Sequence, residues 1–213
     1  KAKVSVTIAC GQKTPRWPEF HLPPWLNTDI VRPAASLPLF TYLEKLVKTI
    51  QKYSCITAWQ LENEPFDPSG PNQQTISKAL YMKELALLRS LDDRPILSTV
   101  WGNVLMVRNA FDQLLPLVDG VGIDLYPITP TSLPRPLPQH QHLYLPKWLL
   151  QWRLRPDQRQ IYIAELQAEP WEKNLESFLS LQPISMSPQQ LKKNLIFAQS
   201  LGINRIDLWG AEY

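Results

Sequence analysis

Six short apolar runs, separated by longer stretches of helical periodicity, constrain this chain more than any other feature. They are Lys3–Gly11, Cys55–Glu64, Arg94–Trp101, Gly120–Tyr126, Gln160–Leu166 and Asn204–Trp209, all of strand length and most of them rich in β-branched and aromatic residues. Leu37–Lys52, Thr75–Leu91 and Ser187–Leu201 read as amphipathic helices, and Asn103–Val118 and Lys147–Arg155 each suit a short one. Ser187 is placed as an N-cap with Pro188 at the first helical position and Gln190 at the third, and Gly202 ends that helix. Strands alternating with helices in this way predict a parallel sheet with crossover helices.

The strand faces sharpen the expectation. Val4, Val6 and Ile8 share one side of the first run, while Ser5, Thr7, Ala9 and Gly11 share the other. Trp59 and Leu61 oppose Ala58, Gln60 and Glu62; Val121, Ile123 and Leu125 oppose Gly122, Asp124 and Tyr126; Ile206 and Leu208 oppose Asp207 and Trp209. A doubly wound sheet is covered on both sides and should be apolar on both. One small or polar face instead predicts a (β/α)8 TIM barrel with a polar mouth at the carboxyl ends of its strands. Six strands are too few to close it. The expectation is therefore a single barrel domain over 1–213, incomplete at both ends. Its outermost strands should then expose Val4, Val6, Ile206 and Leu208. An open six-stranded sheet is the alternative.

Composition narrows the function classes. With 44% hydrophobic and 19% charged residues, 213 residues can bury a substantial core. A net charge of +3 is too weak to suggest nucleic-acid or anionic-membrane binding, and no apolar run is long enough for a membrane span. Twenty-one prolines punctuate short elements without forming a low-complexity tract. Cys10 and Cys55 fall near the end of one strand and the start of the next, ~20 Å apart at strand rise, which predicts two small buried side chains and no bridge.

Chemistry concentrates at two strand ends. Glu62-Asn63-Glu64-Pro65 closes the second run and Ala164-Glu165-Leu166-Gln167 the fifth. A carboxyl group embedded in an apolar strand is costly to bury without a partner or a function. Two of them at barrel-strand ends suit glycosidic bond hydrolysis, one as acid and the other as nucleophile or base. The acid must keep its proton, through burial or its partner's charge.

Asn-Glu-Pro closing one strand, a Glu about a hundred residues later closing another, and a strand ending in Trp resemble the clan A glycoside hydrolases. That resemblance implies the catalytic domain of a retaining (β/α)8-barrel enzyme, numbers the six runs here as its third to eighth strands, and makes Glu64 the acid/base on the fourth and Glu165 the nucleophile on the seventh. It implies that Asn63 bonds the sugar 2-hydroxyl, which requires a twist or bulge because strict alternation turns Asn63 away from Glu64. Tyr126 matches a tyrosine that contacts the nucleophile, and Trp209 an aromatic that stacks on the sugar. Glu62, one pleat deeper, and Glu169, beyond the strand, are rival carboxylates. Arg16, in the loop after the first run, is a candidate support for the site, although the family's usual arginine comes from a strand not present here. His21 reads as a loop residue.

Other chemistries lack their residues. His140-Gln141-His142 reads as a solvated loop with no third zinc ligand, and no phosphate-cradling loop or nucleophile elbow occurs. No cofactor or metal is expected, and the expected partner is a carbohydrate substrate. The Pro-rich stretch Pro127–Pro146 is either a groove-shaping loop, lined by Tyr144 or Trp148, or a surface excursion. A catalytically inactive barrel that binds carbohydrate or serves as a scaffold is the alternative function.

Overall fold

The structure is a computed structural model that describes residues 4–16, 19–21, 33–70, 72–102, 109–130, 140–142, 144, 146–154, 161–172 and 183–211. In chain order its elements are β1 (Val6–Cys10), α1 (Pro33–Ile50), β2 (Ile56–Leu61), α2 (Lys78–Leu91), β3 (Ile96–Trp101), α3 (Ala110–Leu114), β4 (Gly120–Leu125), β5 (Ile128–Pro130), β6 (His140–His142), α4 (Lys147–Leu154), β7 (Ile161–Gln167), α5 (Pro188–Ser200) and β8 (Ile206–Trp209). All six strands read from the sequence form, with ends shifted by one to three residues; β7 runs one residue further than read, to Gln167. One further hairpin, β5 with β6, pairs antiparallel inside the Pro-rich stretch, so His140 and His142 lie in a strand and not in a loop.

The expected (β/α)8 barrel is not what forms. Among the described residues, six strands are hydrogen-bonded in the order β1-β2-β3-β4-β7-β8, leaving β1 and β8 with one neighbour each. Closure requires every strand to have two. The polar residues that suggested a barrel mouth lie inside the fold: Ser98, Thr99, Asp124 and Gln167 are all fully buried, and Ser98, Thr99 and Gln167 are hydrogen-bonded there. As edge strands, β1 and β8 carry apolar side chains that water reaches: Val4, just ahead of β1, is 65% exposed and Leu208 38%.

The chain divides into two compact units, Lys1–Val100 with Arg108–Val121, and Trp101–Val107 with Gly122–Tyr213. In the first, β1 and β2 run parallel with Ile8 beside Trp59 and Cys10 beside Leu61. Helices α1 and α2 pack together, and Leu43, Val47, Trp59, Leu61 and Leu88 lose all exposure. Helix α2 starts at Lys78 and not Thr75, because the Ser77 hydroxyl accepts from Leu80 N at 3.3 Å and caps it. Helix α3 is shorter than expected, and residues 103–108 of that expectation lie outside the described residues. Cys10 is buried as expected, but Cys55 is exposed at the turn before β2; both thiols are free.

In the second unit, β7 and β8 run parallel, with Gln167 beside Trp209. Helix α5 begins as read, with Ser187 Oγ accepting from Gln190 N at 3.1 Å and Pro188 in its first turn. Asn194 on α5 donates from Nδ2 to Gln167 O at 3.1 Å, fastening the helix to the end of β7. Gly122 in β4 is obligatory for space: a Cβ there would sit 2.5 Å from the Ala164 methyl on β7.

Candidate active site

At the end of β2 the chain leaves the extended conformation. φ is +54° at Glu62 and +45° at Glu64. A left-handed residue other than glycine costs roughly 1–2 kcal/mol, and two of them break the alternation that would otherwise turn Asn63 away from Glu64. Thr99 on β3 holds the distorted segment. Its Oγ1 accepts from Glu64 N at 2.9 Å and donates to Asn63 Oδ1 at 2.9 Å. With one lone pair occupied by the amide, the hydroxyl proton points at Asn63, which makes Oδ1 the accepting end of that amide and Nδ2 the donating end. Asn63 and Glu64 are both buried.

Glu62 is a structural carboxylate. It accepts from Gln12 N at 2.9 Å and Lys13 N at 2.6 Å, pinning the turn after β1. Gly11, at φ +120°, permits that approach, since a Cβ would come within 2.5 Å of the Glu62 carboxyl. Burial raises the Glu62 pKa, while its two backbone donors pull it down. Glu84 on α2 hydrogen-bonds Glu62; burial first, then the Glu62 charge, push its pKa up to about 11. The pair therefore holds one proton, on Glu84, and one negative charge, on the backbone-bonded Glu62.

Lys13 is buried to 1% exposure. Its Nζ donates to Glu64 O at 2.7 Å and Asp67 O at 2.9 Å, and lies 3.4 Å from Glu19 Oε2 and 3.9 Å from Glu64 Oε2. One ammonium thus fixes the backbone on both sides of Pro65 and sets a positive charge beside the Glu64 carboxyl. Arg16 is exposed on the same loop; its carbonyl accepts from Glu19 N at 2.7 Å and lies 3.1 Å from His21 Nε2.

The second unit holds the other carboxylate. Glu165, in β7, is buried and its Oε2 accepts from Tyr126 Oη at 2.6 Å. Tyr126 follows β4. Burial above all, then the charge of Glu165, raises its pKa far beyond the ordinary tyrosine value, so the phenol stays a donor. Its ring belongs to a three-ring cluster with Trp101 (5.2 Å between centroids) and Trp171 (4.4 Å), which are themselves 5.8 Å apart. Trp209, at the end of β8, donates from Nε1 to Glu169 Oε1 at 3.1 Å. Trp171 Nε1 donates to that same oxygen at 3.3 Å.

Within the first unit, then, Asn63 and Glu64 share one hydroxyl; within the second, Tyr126 and Glu165 share one hydrogen bond, and Trp209 joins them through Glu169 and Trp171. Arg16 stays on an exposed loop. Trp148, 70% exposed, stands on α4. Lys13, Thr99, Trp101 and Trp171 join these groups without having been candidates in the sequence. Trp101 alone carries a sign, closing a strand as Trp209 does; a lone Lys in a turn or a lone Thr within a strand carries none. Among the described residues no group of three or more metal-ligating side chains occurs, and no helix is long and apolar enough to cross a membrane.

No family model and no curated protein sequence matches the chain. Solved structures do. A β-glucuronidase from Ruminococcus gnavus in complex with uronic deoxynojirimycin is 14% identical with a TM-score of 0.56, over 88% of this chain and 31% of that one. A GH2 β-galacturonidase from Eisenbergiella tayi bound to galacturonate is 15% identical with a TM-score of 0.56, over 84% of this chain and 30% of that one. A Bacteroides uniformis β-glucuronidase is 17% identical with a TM-score of 0.52, over 84% of this chain and 22% of that one. The chain thus spans less than a third of each enzyme. Those neighbours are glycoside hydrolases, and at such identity the likeness is one of fold.

Proposed function

We propose that this chain carries the catalytic residues of a retaining O-glycoside hydrolase that cleaves a β-linked glycan or glycoside by double displacement, with the roles of clan A enzymes. The observation that carries the reading is the buried 2.6 Å hydrogen bond from Tyr126 to Glu165. A neutral phenol donating to a carboxylate keeps it ionised and fixes its plane, as a nucleophile requires.

Glu165 attacks the anomeric carbon, forming a glycosyl ester, while Glu64 gives its proton to the departing glycosidic oxygen. Glu64, now a carboxylate, takes a proton from water as that water attacks the same carbon; the ester bond breaks and Glu165 regains its charge. Asn63 donates from Nδ2 to a sugar hydroxyl, Trp209 stacks on the ring, and Arg16 supports the site from its loop. A double displacement calls for the two carboxyl groups to lie roughly 5–5.5 Å apart, which a crystal structure of the full-length protein with a glycosyl-enzyme trap would measure.

The test is turnover of a panel of aryl β-glycosides, uronides included, by the full-length protein. Glu165→Ala should reduce turnover by at least about 10³-fold, and azide, attacking from the side the carboxylate leaves empty, should restore part of it as the inverted α-glycosyl azide. Undiminished turnover by Glu165→Ala would refute the assignment. Glycoside binding with no turnover by the unaltered protein would favour carbohydrate binding alone.

A further inference from the structure

Glu169 is the rival carboxylate that catalysis leaves unused, and its position is unusual. A single oxygen, Oε1, accepts from two indoles, Trp209 Nε1 at 3.1 Å and Trp171 Nε1 at 3.3 Å. Indole N–H is a donor with no accepting capacity, so one carboxylate oxygen can serve two of them only if both rings present their edges to it. The ring of Trp171 in turn lies on Tyr126 at 4.4 Å with planes 28° apart, and Tyr126 holds Glu165. The backbone accommodates the arrangement: Gly210, next to Trp209, has φ +75°, and a Cβ there would sit 2.4 Å from Glu169 Cβ.

We propose that Glu169 is a positioning residue: its carboxylate clamps the edges of Trp209 and Trp171 together, orienting the sugar-stacking ring and the ring that backs Tyr126. The roles given to Trp209 and Glu165 rest on the proposed glycosidase reading; the clamp itself rests on the hydrogen bonds. Loss of the clamp acts on substrate binding through Trp209, and more weakly on the chemical step through Trp171, Tyr126 and Glu165. Glutamine keeps an accepting oxygen in the same place and so keeps the clamp.

Two measurements on the full-length protein test this. In kinetics on the aryl β-glycoside turned over best, Glu169→Ala should raise KM about tenfold, the equivalent of one charge-assisted hydrogen bond, with a smaller loss in kcat. Glu169→Gln should restore KM to within about threefold, and Gly210→Ala, by pushing Glu169 away, should reproduce the alanine defect. In a Trp209→Phe background, which lacks the N–H, Glu169→Ala should leave KM nearly unchanged. A glutamine variant as impaired as alanine, or an undiminished alanine effect in that background, would overturn the proposal. The second measurement does not depend on turnover. In an ¹⁵N spectrum of the eight indoles, Glu169→Ala should move the N–H signals of Trp209 and Trp171, assigned by single Phe replacements, and speed their exchange with solvent. Two unmoved signals overturn the clamp, including where the alanine variant proves inactive. Two moved signals in a protein that hydrolyses no glycoside support the clamp and retire the glycosidase reading.

Discussion

Replacing Glu84 by glutamine removes one titrating group from the core of the first unit and leaves an amide donor facing Glu62. In the folded protein the Glu84 carboxyl holds its proton up to about pH 11, because burial and then the Glu62 charge disfavour ionisation. In the unfolded chain it ionises near 4.3. Folding therefore takes up a proton across that whole interval. The stabilisation from Glu84 is complete below the unfolded value and declines as pH rises toward the folded one. One proton corresponds to a slope of about 1.4 kcal/mol per pH unit, so from pH 7 to pH 9 this group withdraws on the order of 3 kcal/mol. Glu84→Gln should lack that decline. Urea unfolding at pH 7, 8 and 9, compared at equal m-values, measures it: the variant should gain on the parent by up to about 3 kcal/mol over those two units. The window lies well inside the interval, so the slope does not depend on its upper end. Groups that titrate alike in both proteins cancel in the comparison. Parallel pH dependences in the two proteins would refute the shared-proton pair, and with it the assignment of Glu62 as the ionised anchor of the turn after β1.

Other outcomes follow from the same contacts. Lys13→Met strips the buried cation from between Glu19 and Glu64 and should destabilise the fold by about 3–5 kcal/mol, read by thermal melting; a loss below about 1 kcal/mol would mean that the ammonium does not hold that segment. Gly122→Ala forces a methyl against Ala164 and should cost about 1–3 kcal/mol in the same assay, whereas Gly202→Ala, with open space but φ +79°, should cost only the backbone strain. Thr99→Val removes the hydroxyl shared by Asn63 and Glu64 and should lower kcat/KM by about tenfold, with Thr99→Ser largely restoring it; equal kinetics for Val and the parent would show that the shared hydroxyl does not orient the site.

What the sequence determined by itself was local. The alternation within Ile56–Leu61 or Ile161–Gln167 is a property of neighbouring residues, as is the Ser187 cap, and such elements form where their own residues call for them. The carboxylates Glu64 and Glu165 stood out because charge inside an apolar strand is expensive wherever it occurs. The number of strands that join a sheet, and whether the sheet closes, is set by pairing between distant segments, so the one-sided polarity of the strands suggested a barrel where the fold forms a six-stranded sheet with two edges. The β5–β6 hairpin stayed hidden for a related reason: three residues in each strand are too few for a period to show. The conformations of Glu62 and Glu64, φ +54° and +45°, are likewise invisible in a run that reads as extended; Thr99 and Lys13, bound to that segment from residues 35 and 51 positions away from Glu64, hold it there. The proton on Glu84 and the clamp at Glu169 depend on side chains that meet only after folding, because desolvation and hydrogen-bond geometry are properties of a place in the fold and not of a residue type.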